Sequence, residues 1–270
     1  LLHPAIFALC QWAAAYYHHP PGEVYGAAFP KRLREGREPL ALGERGWRLT
    51  DRGKGLAPEA LKRSPRQAQA IALLREKGLV SVAQFKAAGV TSTVLRNLQD
   101  KDLVEEREIV TEPVEAQVRQ ALQANEEQAL AIDGVRAAAG SFSCHLLEGV
   151  TGSGKTEVYL QLIADCLARG QSALVLIPEI GLTPQTVARF QARFVAVIAV
   201  LHSGLSDAAR YRAWEQARTG LAHIVIGTRS AVFTPLPNLG LVIVDEEHDG
   251  SYKQQDGFRY SARDVAIKRE

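Results

Sequence analysis

The chain has 270 residues, 46% hydrophobic and 23% charged, with three cysteines and a formal net charge of +2 at pH 7. That composition suits about two globular units with sizeable cores; no apolar run approaches the length of a membrane helix, and Leu1-Leu2-His3-Pro4 lacks the basic region of a signal peptide. Cys10, Cys144 and Cys166 form no CxxC pair, which argues against zinc within this stretch and suits a reducing cytosol, and a charge this close to neutral permits nucleic-acid binding without arguing for it.

In chain order, "PAIFALCQWAAAYYHHP" carries apolar residues Ile6, Leu9, Trp12 and Ala13 at helical spacing and is expected to stop at Pro20-Pro21. Residues 1–42 read as a helical linker. From 43 to 110 the texture turns to short charged elements. "SPRQAQAIALLREKG" has Ser64 to cap, Pro65 at the first helical position and Gly78 to stop. "SVAQFKAAG" and "TSTVLRNLQDKDL" give two more helices, and "LVEEREIV" alternates as a strand, with "WRLT" a strand before them. Three helices and such strands match a winged helix; a small helical connector is the alternative. From 111 to 270, apolar strands "CHLLEG", "SALVLIPE", "VAVIAVLH", "AHIVIGT" and "LGLVIVDEEH" alternate with amphipathic helices. Continuous Val/Ile/Leu strands between helices predict a parallel sheet covered on both faces, so the fold class is α/β, a parallel-sheet domain after a small α+β domain.

Two motifs carry chemistry. In "GVTGSGKT", Gly149, Gly152 and Gly154 let backbone N–H groups approach a phosphate, with Thr151 and Ser153 between them. Lys155 adds a point charge for the β- and γ-phosphates and the Thr156 hydroxyl suits Mg²⁺. The expected ligand is ATP or GTP. In "LVIVDEEHD", a strand ending at Asp245-Glu246 places Asp245 beside that loop to hold the Mg²⁺ shell, with Glu246 to orient and deprotonate the attacking water. His248 is the candidate for sensing the γ-phosphate or contacting neighbouring motifs. Directly after it, Tyr252, Phe258 and Tyr260 interleave with Lys253, Arg259 and Arg263. That pattern fits bases stacked on rings and phosphates met by cations, or else a packed aromatic cluster. His18-His19 reads as a surface or packing pair rather than a metal site, and Cys144 and Cys166 as buried small residues.

With these residues in view, Asp-Glu-Glu-His resembles the DExH box of superfamily 2 helicases. "LIPEIGLTPQT", "VLHSGLS" and "IVIGTRSAVFTPLPNLGLVIVDEEHDGSYKQQDGFRY" resemble the PriA family of bacterial replication-restart helicases (primosomal protein N′) across most of 122–270. The resemblance implies a RecA-like P-loop fold for this domain and ATP as the nucleotide, with Gln128 in "ANEEQ" reading adenine; a solvated helix-start glutamine is the other reading. It implies that Thr183 and Gln185, and then Thr228, Arg229 and Ser230, contact the single-stranded backbone, although Arg229 alone reads as an ordinary surface charge. It makes the loop carrying Tyr252, Lys253, Phe258, Arg259 and Tyr260 the element that couples DNA to hydrolysis.

The resemblance further implies forked and single-stranded DNA, single-stranded-DNA-binding protein and other primosome proteins as partners, a monomer, no membrane, and a bacterial cytoplasmic location. No methionine occurs in the chain, which predicts a segment of a longer protein. The family's 3′-end-gripping domain would precede it. The second motor lobe and two cysteine-bound Zn²⁺ ions would follow it. The expected activity is 3′-to-5′ DNA unwinding, with little turnover by this segment alone. A fork-binding scaffold and a P-loop ATPase of another class are the alternatives, and stimulation by DNA separates them.

Overall fold

The computed structural model describes every residue except 1, 2, 41, 43, 62, 63, 110–116, 120, 121, 151 and 270. The chain divides into two units, Ala41–Glu112 and a larger body of Leu1–Leu40 with Pro113–Glu270.

The body opens with α1 (Pro4–Tyr16), capped by His3, whose Nδ1 accepts from the Ala5 N–H. The double proline does not end this helix. It stops at Tyr16, and Pro21 instead begins α2 (Pro21–Ala28), because a fixed φ and a missing N–H suit a first helical turn. The single turn α3 (Lys31–Arg34) follows.

The smaller unit contains β1 (Glu44–Leu49), α4 (Asp51–Lys54), α5 (Pro65–Lys77), β2 (Leu79–Ser81), α6 (Val82–Ala87), α7 (Ser92–Asp100) and β3 (Val104–Ile109). Its strands form an antiparallel sheet in the order β2-β1-β3. Trp47 and Leu49 of β1 share a core with Ile71 and Leu74 of α5, Phe85 of α6, and Leu95 and Leu98 of α7. Sequence-local devices set the helix ends. Ser81 and Gln84 exchange bonds in a capping box, and Gly78 ends α5 at φ +73°. This is the expected winged helix.

The body resumes with β4 (Gln117–Val118), α8 (Glu126–Ala137), α9 (Lys155–Ala168), β5 (Ser172–Leu176), α10 (Pro184–Arg193), β6 (Phe194–Val195), β7 (Ile198–Leu201), α11 (Asp207–Arg218), β8 (Ile224–Gly227), β9 (Leu239–Val244) and α12 (Ala262–Lys268). The order β7-β8-β5-β9 is parallel throughout, as the uninterrupted apolar strands predict. The two-residue period of a strand sends alternate side chains to opposite cores. Leu174 and Leu176 of β5 join Leu9, Ala13, Val24, Ala217 and Val265, from α1, α2, α11 and α12. Ala173 and Val175 join Ile163, Phe190 and Phe194, from α9, α10 and β6. The Trp214 Nε1–H donates to the Ala28 carbonyl at 3.1 Å, so residues 1–40 form part of one face of this body.

Two strand expectations are corrected. "VAVIAVLH" is not one strand, because its start pairs with β4 as β6 and only Ile198–Leu201 enters the parallel sheet. "CHLLEG" is not a strand at all, and β9 is one edge of the parallel sheet among the described residues. Its Leu147 packs against the cluster of Ile132, Val158 and Leu162, while His145 and Ser143 satisfy one another at 3.0 Å. One leucine therefore finds burial without a backbone ladder, and Leu146 and Cys144 remain exposed rather than buried.

Candidate nucleotide site and the loops at the sheet edge

Because all four strands of the body's sheet run the same way, the loops after them leave one edge, the place where open α/β sheets bind ligands. The ladder extends one residue into three of these loops. The N–H groups of Ile177, Thr228 and Asp245 donate to Gly227, Leu201 and Leu176 at 2.9, 3.0 and 2.9 Å. The loops that hold Thr183, Thr228 and Asp245 are thereby brought to one rim.

The glycine-rich loop runs into α9. Gly152 and Gly154 have φ of +84° and +86°, which L side chains rarely adopt, and a Cβ on Gly154 would strike the side-chain amide of Gln128. The turn points the first N–H groups of α9 into a cleft of about 650 Å³, walled by Gly152, Ser153, Gly154, Lys155 and Thr156 on one side and Asp245 and Glu246 on another. Lys155 donates to the Gly149 carbonyl at 2.6 Å, and its Nζ lies 3.8 Å from Glu246 Oε1. A phosphate chain entering here meets an ammonium, a helix N-terminus and backbone donors together. Thr151 lies outside the described residues.

Gln128 caps α8 reciprocally with Asn125: its N–H donates to Asn125 Oδ1 at 2.8 Å, and its Oε1 accepts from the Asn125 N–H at 3.0 Å. Its Nε2 lies 3.4 Å from the carbonyls of Ser153 and Gly154. The candidate base-reading residue therefore adjoins the loop, with its amide already engaged in shaping it.

Asp245 is half-buried, and burial pushes its carboxyl above the usual aspartate range against the opposing hydrogen bond from Tyr159. The Tyr159 hydroxyl donates to Asp245 Oδ1 at 3.2 Å, and burial beside that carboxylate raises its own pKa. No sequence motif marks Tyr159. Its one signal is its position a helical turn after Lys155, on the same face. Equally unmarked is the pair of Arg193 and Glu157, 3.2 Å apart and both nearly buried, which forms part of the cleft wall. Glu246 sits at φ +45°, a conformation costing a non-glycine residue about 1–2 kcal/mol. Its Oε2 is 3.8 Å from His248 Nε2, and His248 is otherwise exposed. A hydroxyl and a carboxylate, Thr156 and Asp245, face one cleft as hard oxygen donors, a set that fits Mg²⁺.

The other rim candidates are used differently from one another. Thr183 caps α10 by accepting from the Thr186 N–H at 3.2 Å, and it and Gln185 stay exposed. Thr228 is buried and Ser230 half-buried, while Arg229 turns inward and donates to the carbonyls of Ser251 and Lys253 at 2.9 and 3.0 Å. It ties the segment after β8 to the segment after β9.

The aromatic residues are not at the surface. Tyr252, Phe258 and Tyr260 are 2%, 7% and 6% exposed, whereas Lys253 and Arg259 face solvent. Phe258 and Tyr260 stack at 4.8 Å with Phe233 against both, and burial pushes the Tyr260 phenol up to about 12. Burying a ring such as Phe258 is favourable by about 2–3 kcal/mol, which is why the cluster points inward. The single Tyr252 hydroxyl is shared between the Leu176 and Asp245 carbonyls, at 2.9 and 2.6 Å, clipping two strand ends together.

A parallel sheet with a glycine-rich loop and a carboxylate pair across one cleft defines a P-loop nucleotide-binding domain. Comparison with known proteins narrows this. The DEAD/DEAH box helicase family matches residues 125–269, and the winged helix described as "Primosomal protein N'-like" matches 45–106. The chain therefore belongs to the DEAD/DEAH box helicases, in the PriA branch that carries this winged helix. It is 45% identical to the replication restart protein PriA of Haemophilus influenzae, over 99% of this chain and 37% of that protein. It is 47% identical to that of Synechocystis sp., over 78% of this chain and 23% of the relative. Against Bacillus subtilis PriA the figure is 44%, over 68% and 24%. The chain thus spans about a quarter to just over a third of the length of these relatives. No helix among the described residues is long and apolar enough to cross a membrane.

Proposed function

We propose that this chain is the winged helix and first motor lobe of an ATP-driven, 3′-to-5′ DNA helicase that acts on stalled or forked DNA in replication restart. The observation that carries the reading is the cleft in which Lys155 and Glu246 approach to 3.8 Å at the mouth of the glycine loop, with Asp245 beside them. Lys155, the loop amides of 149–156 and the N-terminus of α9 bind the triphosphate. Gln128 borders the base. Thr156 and Asp245 hold Mg²⁺, which when bound neutralises charge on the phosphates. Glu246 accepts the proton of the attacking water, and its contact with Lys155 is exchanged for the nucleotide. His248 senses the γ-phosphate end. Thr183, Gln185 and Ser230 form the DNA-facing rim, Thr228 and Arg229 shape it from behind, and the 252–260 segment couples it to the cleft.

Within that assignment the roles divide by burial. Lys253 and Arg259 are the groups able to meet phosphates, Tyr252, Phe258 and Tyr260 hold the segment's shape, and Arg229 braces it. The full-length protein works as a monomer in the bacterial cytoplasm with single-stranded-DNA-binding protein and primosome proteins, and its Zn²⁺ is held by residues outside this stretch. The deciding experiment measures ATP hydrolysis by the full-length protein with and without forked DNA, beside Lys155→Ala. Strong stimulation abolished by the substitution is expected. Turnover indifferent to DNA overturns the helicase reading.

A further inference from the structure

The stretch 253–261 is a hairpin. An antiparallel bridge joins Lys253 to Ser261, and the Gln254 N–H donates to the Tyr260 carbonyl at 2.8 Å. Arg229 braces its first limb. The second limb is held from the far end of the sequence. The backbone N–H of Arg259 donates to His19 Nε2 at 3.2 Å, and the Ser261 N–H donates to the Tyr17 oxygen at 3.3 Å, whose hydroxyl in turn faces the Ser261 carbonyl at 3.4 Å. Phe258 presents its ring edge-to-face to Tyr17 at 6.0 Å and to His19 at 5.4 Å.

The clasp is built, not incidental. His18 turns the chain at φ +52° just after α1, and the His19 N–H donates to the Ala14 carbonyl at 3.0 Å, aiming the imidazole at the hairpin. Glu23, at 3.4 Å, faces His19 Nδ1. A proton on Nδ1 toward that carboxylate leaves Nε2 with the lone pair that the Arg259 N–H requires. The amide held in this way belongs to an exposed cation of the hairpin, so the clasp acts on the backbone that carries Arg259.

We propose that Tyr17 and His19 are positioning residues for coupling: they anchor the second limb of the hairpin to α1, so that a phosphate met by Arg259 moves a rigid hairpin rather than a slack loop. Movement then reaches the cleft through Tyr252, which is bonded to the Asp245 carbonyl. This inference rests on the reading of the hairpin as the coupling element. It makes the N-terminal helices an input to the ATP site, although neither Tyr17 nor His19 lines that cleft.

The test compares His19→Leu, His19→Gln and Tyr17→Phe in the full-length protein, reading ATP turnover with and without forked DNA and amide exchange at Arg259 and Ser261. His19→Leu and Tyr17→Phe are expected to lower DNA-stimulated kcat about fivefold, the scale of one hydrogen bond. DNA-independent turnover and KM for ATP stay unchanged, and exchange quickens at Arg259 in the first variant and at Ser261 in the second. His19→Gln, which keeps an acceptor at similar reach, restores the stimulated rate. Stimulation unchanged in His19→Leu, an equal fall in basal and stimulated rates, or Gln behaving like Leu overturns the proposal. A wild-type protein that DNA does not stimulate refutes the coupling reading instead. The clasp itself is then judged by exchange at Arg259, and an unchanged rate in His19→Leu refutes it too.

Discussion

The glycine loop at 149–156 meets Glu246 through Lys155, and the segment entering the aromatic hairpin at 253–261 meets Asp245 through Tyr252, yet the two are built on opposite plans. The loop keeps its chemistry in the open: positive-φ glycines strip side chains away, and Lys155 and the amides face the cleft. The hairpin keeps its rings inside and only its cations outside. A phosphate needs point charges and donors, which function at a surface. The coupling role proposed for the hairpin needs a fixed shape, and buried rings supply it.

The comparison breaks first at Phe258. Phe258→Ala should destabilise the protein by about 3–5 kcal/mol, as truncated core aromatics do. Arg259→Ala should shift stability by less than about 0.5 kcal/mol while weakening DNA stimulation. Denaturant melts that leave Phe258→Ala as stable as wild type would mean that the rings are a surface platform after all. On the loop side, Lys155→Ala should cut ATP turnover about 10²-fold or more with little change in melting temperature, since the side chain acts on developing charge and not on packing. Gly154→Ala combines a φ that L side chains rarely adopt with a clash against Gln128 and should weaken nucleotide binding about tenfold, read by titration with a fluorescent nucleotide.

Two smaller effects sharpen the boundary between the regions. Tyr252→Phe removes the hydroxyl shared by the Leu176 and Asp245 carbonyls and should cost about 1–2 kcal/mol, measured by chemical unfolding. Asp245→Asn should raise the melting temperature at neutral pH while removing hydrolysis. Burial lifts the Asp245 carboxyl above its ordinary range, so its folded form resists losing the proton. The resulting penalty is absent below the usual aspartate range and grows as pH rises through it, and the stability gap between variant and wild type should open in that direction. A gap that closes with rising pH would contradict the sign.

Much of this was legible in particular residues. Pro65 and Gly78 at the two ends of α5 and the unbroken runs of β5 and β8 report local geometry, so the winged helix and parallel sheet followed from them. The spacing of Gly149, Gly154, Lys155 and Thr156 reports a backbone shape with few alternative uses. The failures share a cause. "CHLLEG" has strand composition, but Leu147 found burial against Ile132, Val158 and Leu162 without pairing its backbone. Pro20-Pro21 reads as a terminator, yet proline both ends and begins helices.

Sequence by itself determined the glycine-rich loop, the acidic strand end, the parallel α/β character and the family, because each depends on residues adjacent in the chain. Tertiary structure alone decided that the interleaved rings lie inside, that Arg229 braces a hairpin, that Tyr159 answers Asp245, and that Tyr17 and His19 hold residues 244 and 240 positions away. An alternation of aromatic and basic residues is the same text whether rings face water or core. Which they face depends on apolar partners such as Phe233 and Tyr17, and only the completed fold brings those to the site.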